Sequence, residues 1–169
     1  IKLMELSKNT SMEIVIIRPP LVYGPKVKAN FLLMMKWIEK SIPFPIKKSK
    51  NFRSLIYLDN LVDFMLLTIK HPLAKNEIFF ISDDFDISTV DLMKKINYAM
   101  KKKVLFFHCP EKLLSFISKF FRKEGEFKRL KSSLQVDITK AKTLLNWKPK
   151  IHFDEAIIRT VNYFNDEKK

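Results

Sequence analysis

Glycine is almost absent. The 169 residues contain two, Gly24 and Gly125. A glycine-rich loop that brings bare backbone against a pyrophosphate therefore has no place in this sequence. Cysteine occurs once, as Cys109. That excludes an internal disulfide and a zinc site built from several thiolates, and makes a reducing cytoplasm the expected compartment. Nothing around Cys109 marks a reactive thiolate. His71, His108 and His152 lack the spacing of a zinc site or a catalytic triad. No apolar run approaches the roughly 20 residues needed to cross a bilayer; "FMLLTI" is far too short. The opening "IKLMELSKNTS" has no apolar h-region and no small-residue cleavage site, so no secretory signal is read there.

What is present suits a folded chain. Hydrophobic residues make up 47% and charged residues 30%, enough apolar surface for a packed core in a chain of one domain's length. Lys and Arg number 32 against 18 Asp and Glu, a net charge of +14. Such charge invites a nucleic-acid or acidic-membrane partner. The lysines, however, are scattered through every segment rather than gathered in one arm, and no nucleic-acid partner is expected.

Strand and helix patterns alternate, which implies an α/β organisation. Leu3 and Leu6 read as the end of a helix. "EIVIIRPP" is a β-rich run with too little alternation for one wet face, so it predicts a strand covered on both sides. Pro19 and Pro20 end it. In 29–40, Phe31, Met34, Met35 and Ile38 share one helical face. "SIPFPI" is extended and "SLIYLDN" a short strand. Asp59 or Asn60 is expected to cap the helix "NLVDFMLLTIK", which stops before Pro72. "EIFFISDD" and "KVLFFHCP" read as strands. Ser88 with Asp91 forms a capping box for "TVDLMKKINYAM". "EKLLSFISKFFRK" is a basic amphipathic helix, and Asp137 caps "ITKAKTLLNW". The last helix places Ala156, Ile157, Val161 and Phe164 on one face. Trp147 and Pro149 close it against the core.

Four stretches, read in order over about residues 13–165, resemble the C-terminal half of the extended short-chain dehydrogenase/reductase family, the NAD(P)-dependent nucleotide-sugar epimerases, dehydratases and 4-keto-reductases. "RPPLVYGP" is similar to that family's R-x-x-x-V-Y-G-P. "RSLIYLDNLVD" is similar to R-x-x-I-x-V-x-D. "NEIFFISDDFDISTVDLMKKI" resembles its strand, turn and helix. "VDITKAKTLLNWKPKIHFDEAI" resembles its terminal D-x-x-K…L-x-W-x-P…E-x-I. The resemblance implies the last sheet strands of a Rossmann-like fold plus a small α/β substrate-binding domain over 1–165, with 166–169 a polar tail. It looks most like bacterial enzymes of surface-polysaccharide synthesis, 4-epimerases or 4-keto-reductases acting on UDP-N-acetyl-hexosamines.

The same resemblance implies site residues. Pro19, Pro20 and Leu21 would pass along the nicotinamide and the sugar, stiff prolines holding a backbone edge in place. Leu21 stands where many family members carry an Asn on the substrate diphosphate. Asn30 would contact the nucleotide near a helix N-terminus. Pro43, Phe44 and Pro45 would wall the uracil. Arg53 would grip the diphosphate in bidentate fashion, with Lys47, Lys48 and Lys50 adding positive potential. Each also has a plainer reading as turn, cap or surface residue. Asp59 and Asp63 read as a helix cap and a helix-surface or packing residue rather than an acid pair.

No catalytic residue is assigned. The family's Gly-rich loop and its Tyr-x-x-x-Lys pair, in which Lys lowers the tyrosine pKa, have no match at the expected places. Tyr98 to Lys102 fits Y-x-x-x-K literally but lies far downstream, in a helix matching a peripheral element. NAD or NADP is implied for the complete family form, and none is expected to be held by this chain alone. With those motifs missing the chain resembles about half an enzyme, and a truncated or split gene, a fragment partnered by a separate N-terminal chain, or a partial record is expected; the initial Ile fits a processed or truncated product. A UDP-sugar, and a separate N-terminal half, are the implied partners. Two other readings stand beside it: a non-catalytic remnant, and a basic protein lying on a membrane surface through the 111–123 helix.

Overall fold

Short parallel strands joined by helices carry this chain. The computed structural model describes residues 2–46, 51–108 and 133–167. In chain order the elements are α1 (Lys2–Asn9), β1 (Ile16–Arg18), β2 (Leu21–Tyr23), α2 (Ala29–Glu39), β3 (Phe44–Ile46), β4 (Arg53–Tyr57) and α3 (Leu58–Lys70). A 3-10 turn (Pro72–Ala74), β5 (Ile78–Phe80), β6 (Asp86–Ile87), α4 (Thr89–Ala99), β7 (Phe106–His108), α5 (Thr139–Leu145) and α6 (Phe153–Asp166) follow. The expected α/β class is the observed one. Cys109 and the amphipathic stretch 111–123 lie outside the described residues, as do Lys47, Lys48 and Lys50.

The chain divides into two compact units. The first comprises Ile1–Tyr23, Ser54–Phe85 and Val136–Phe153. In it β1 runs parallel to β5, with Ile16 opposite Ile78 and Arg18 opposite Phe80. β2 runs parallel to β4, with Leu21 opposite Leu55 and Tyr23 opposite Tyr57. Their inward side chains meet α3 and α5 in a core of Ile56, Phe64, Phe79, Ile81, Ile138, Leu145 and Trp147. Phe64 is its pivot, with its ring edge-on to Phe79 at 5.5 Å and to Trp147 at 4.9 Å. Such pairs add about 0.5–1.5 kcal/mol each beyond the area they bury.

Two expectations need correction in this unit. β1 was expected to be covered on both faces, yet Ile16 and Ile17 are half-buried and Arg18 is exposed. Among the described residues β1 has one strand neighbour, β5. Neither Asp59 nor Asn60 caps α3. The helix starts at Leu58, its N-cap is Tyr57, and no side chain caps it. Asn60 lies inside the first turn and is 1% exposed, because its amide has partners inward, described below. Asp137 does serve the start of α5: its Oδ1 accepts from the Thr139 amide at 2.8 Å, and that bond with the Thr139 hydroxyl holds its pKa down. The left-handed Asn146 (φ 50°) ends α5.

The second unit comprises Gly24–Arg53, Asp86–Gln135 and Asp154–Lys169. α2 buries Phe31, Met34, Met35 and Ile38, the face that its spacing predicts. It packs on α4, which buries Leu92, Met93 and Ile96. The capping box is formed: Ser88 Oγ accepts from the Asp91 amide at 3.0 Å and donates to its carboxylate at 2.6 Å. β3 runs parallel to β7, with Phe44 opposite Phe106. α6 buries Ala156, Ile157, Val161 and Phe164, again the predicted face, and Lys95 pairs with Asp154 from α4.

Candidate functional site

The motif "RPPLVYGP" is built as a strand, a break and a strand. Pro19 and Pro20 lie between β1 and β2, and with no N–H to donate they interrupt the strand run there. Pro19 is exposed and Pro20 half-buried. Leu21 opens β2 and is 36% exposed, so its side chain is available to a ligand. Tyr23 closes β2 and is buried. Gly24 follows at φ 141°, a value that a side chain disfavours. Arg18, the first residue of the motif, stacks over the Phe80 ring at 5.6 Å.

Tyr23 leads to a polar cluster that sequence reasoning did not find. Its hydroxyl donates to Asp83 Oδ2 at 2.8 Å. The Tyr57 amide donates to both oxygens of that carboxylate at 3.1 Å. Asn60 Nδ2 donates to Oδ1 at 2.8 Å. Asn60 also donates to the Ile151 carbonyl at 2.9 Å and accepts from the Ile151 amide at 3.0 Å. Burial raises the Asp83 pKa, and the bonds from Asn60, Tyr57 and Tyr23 oppose that rise. The signal in the sequence was weak: "SDD" after a strand reads as an ordinary acidic turn.

The remaining predicted ligand residues fall in the second unit. Asn30 is the second residue of α2 and half-buried. Lys28 stands at the N-cap without a side-chain cap, and Ala29 has a left-handed φ of 51°. The chain enters this helix through a constrained turn in which Val27 N–H meets the Gly24 carbonyl at 3.2 Å and Lys26 also has positive φ. Pro43 is exposed, Phe44 half-buried, and Pro45 lies in β3 opposite Phe107. Phe44 is the middle ring of an aromatic row: Trp37 is edge-on at 5.9 Å and Phe106 at 6.3 Å. Trp37 is fixed by its Nε1–H on the Ile42 carbonyl, 3.0 Å.

Arg53 heads β4, half-buried, with a backbone bridge to Leu134. The residues before it are tied down by hydrogen bonds. Buried Asn51 donates to Thr89 Oγ1 at 2.8 Å, and the Phe52 amide donates to Ser133 Oγ at 3.2 Å. Burial lowers the guanidinium pKa from its ordinary value. An arginine partly withdrawn from water, always cationic, suits an anionic partner. Thus the structure brings Asn30, Pro43, Phe44, Pro45 and Arg53 into one compact unit, while Pro19, Pro20 and Leu21 belong to the other.

The remaining candidates resolve simply. Asp63 accepts from Trp147 Nε1 at 3.0 Å and pairs with Lys150, polar contacts that make it a structural residue of α3. Asp59 is exposed in the first turn of α3. Tyr98 is 83% exposed, and Lys102 lies beyond the end of α4; no buried site forms around that pair. No helix among the described residues is long and apolar enough to cross a membrane. For a dinucleotide cofactor, the chain offers backbone at Pro19 to Leu21 but no glycine loop to cradle a pyrophosphate. The residues present do not fit the whole group.

Residues 4–106 match the 3-beta hydroxysteroid dehydrogenase/isomerase family. The UDP-glucose 4-epimerase of Vibrio cholerae is 40% identical over 164 residues, spanning 96% of this chain and 50% of that protein. A UDP-glucose 4-epimerase from Thermotoga maritima, solved with UDP-glucose, superposes with a TM-score of 0.75 at 21% identity, over 99% of this chain and 51% of that one. The UDP-glucuronic acid 4-epimerase from Bacillus cereus, in complex with NAD, gives 0.74 at 19% identity, over 99% and 49%. The chain spans about half the length of these proteins. It belongs to the 3-beta hydroxysteroid dehydrogenase/isomerase family, with the extended short-chain dehydrogenase/reductase fold to which its motifs point.

Proposed function

We propose that residues 1–165 are the C-terminal, substrate-facing half of a nucleotide-sugar 4-epimerase or 4-keto-reductase, with a UDP-N-acetyl-hexosamine of bacterial polysaccharide synthesis as ligand. The observation that carries the reading is Arg53, half-buried at the head of β4 with its guanidinium partly desolvated. A diphosphate offers a planar pair of oxygens to such a fork, and the bond strengthens where water is displaced. The identity with the Vibrio cholerae epimerase supports the ligand class. The aromatic row of Trp37, Phe44 and Phe106 supports a ring-binding wall in the same unit.

The cofactor of this family is NAD or NADP, which accepts and returns a hydride when bound. No step is assigned to it on these residues, because the pyrophosphate cradle and the Tyr-x-x-x-Lys pair have no match in 1–169 at the places where the fold needs them. Catalysis then requires a second half carrying both, on this polypeptide or another. The part played by the present chain is to hold the uridine diphosphate and orient the sugar.

Isothermal titration with UDP-N-acetylglucosamine tests this. Binding is expected, and Arg53→Ala is expected to weaken it by at least about tenfold, the loss of one charge-assisted contact. Absence of binding by the wild-type chain, including after addition of a cofactor-binding half from a relative, would favour the non-catalytic remnant.

A further inference from the structure

Asp83 is 8% exposed, yet it belongs to no ion pair among the described residues. A carboxylate in that position is costly to bury and is kept only where converging donors replace its water. Here the donors are neutral and come from separate elements: the Tyr23 hydroxyl at the end of β2, the Tyr57 amide at the end of β4, and the Asn60 amide in the first turn of α3. The Asp83 amide in turn donates to the Leu55 carbonyl at 2.8 Å. Tyr23 is held on its apolar side as well, with its ring 5.6 Å from Tyr57 and 5.7 Å from Phe153. The two ends of the parallel pair β2 and β4 are therefore pinned to one side chain.

We propose that Asp83 is a positioning residue: by anchoring Tyr23 it sets the backbone of Leu21 to Gly24, and through it the ligand-facing edge at Pro19 to Leu21. β2 is three residues long. A strand so short, preceded by two prolines and followed by Gly24, has few ladder bonds of its own to fix it. The side-chain bond at its last residue supplies the missing constraint. The consequence for a ligand rests on the substrate-facing role proposed above.

Hydrogen exchange on the full chain tests the positioning without any ligand. In Tyr23→Phe, which keeps the ring packing, the amides of residues 21–24 are expected to exchange about tenfold faster, with Tyr57 and the β5 amides of Ile78–Phe80 unchanged. In Asp83→Asn, both the 21–24 and the Tyr57 amides speed up while β5 stays protected. Uniform acceleration through the unit, or no change at 21–24, overturns the proposal, since a general structural pin would act everywhere. A second readout is the affinity for UDP-N-acetylglucosamine, measured well below the melting point of each variant. Tyr23→Phe is expected to lose about tenfold, whereas a residue contributing only stability leaves affinity intact under those conditions. If the wild-type chain binds no UDP-sugar, the ligand reading fails, and the exchange pattern still decides the role of Asp83.

Discussion

Trp147 Nε1 donates to Asp63 Oδ2 at 3.0 Å across 84 residues of sequence. The bond fastens the segment after α5 to the middle of α3. Trp147 is 3% exposed and packs its ring edge-on to Phe64. A buried indole N–H needs an acceptor, and its loss costs more than the bond's net worth. Asp63→Ala is therefore expected to destabilise the chain by about 1–3 kcal/mol in urea unfolding. The adjacent pair with Lys150 contributes little, because that lysine is 73% exposed. Asp63→Asn keeps an acceptor and should recover most of the loss. Equal loss in both variants would show that charge, not the indole bond, is what matters.

The faces of α2 and α6 were legible because an apolar period of 3.6 is imposed by burial itself. The Ser88–Asp91 box was legible because capping is a local contract between residues three apart. Asn60 was misread for the complementary reason. At the start of a helix, Asn suggests a cap, and only the fold brings Asp83 and Ile151 to its amide, 23 and 91 residues away. The depth of β1 failed similarly. A run such as "IVII" is compatible with two covered faces, but coverage depends on neighbouring strands and helices that the run cannot specify. For the candidate site, Arg53 and the "RPPLVYGP" turn were proposed from motif spacing, and the fold shows only where they lie, at the head of β4 and between β1 and β2. Asp83 could not be proposed in that way, since nothing local distinguishes it from its exposed neighbour Asp84.

Ala29 carries a left-handed backbone, φ 51°, at the entrance to α2. A Cβ in that region costs roughly 1–2 kcal/mol, and glycine escapes it at a smaller entropic cost in the unfolded chain. Ala29→Gly is expected to raise stability by about 0.5–1 kcal/mol, measured as a higher urea midpoint with an unchanged slope. Gly24→Ala should do the reverse, because Gly24 sits at φ 141° and is buried. If Ala29→Gly also weakens UDP-sugar binding, the strain serves the site by holding Asn30 in place. A lower midpoint would show that the turn does not hold the left-handed conformation in solution.

Two aspartates should push stability in opposite directions with pH. Burial raises the pKa of Asp83 above its unfolded value. The native state then binds a proton more readily than the unfolded chain does, so its contribution is fully present below the unfolded value, about 3.9, and is lost as pH rises through the folded pKa. Asp137 is the reverse: the bonds from Thr139 lower its pKa, so its contribution is present above the unfolded value and is lost as pH falls through the folded one. Comparison with the isosteric Asn variants isolates each term. The stability of the wild type relative to Asp83→Asn should be greatest in acid and shrink towards neutrality. Relative to Asp137→Asn it should be greatest near neutrality and shrink in acid, by a small amount because Asp137 is exposed. Urea unfolding from pH 3 to 7 gives both differences, a range bracketing the ordinary carboxylate values of about 4. The same slope for both aspartates would mean that the donors around Asp83 outweigh its burial, and a carboxyl titration by NMR would then place its pKa below the ordinary value.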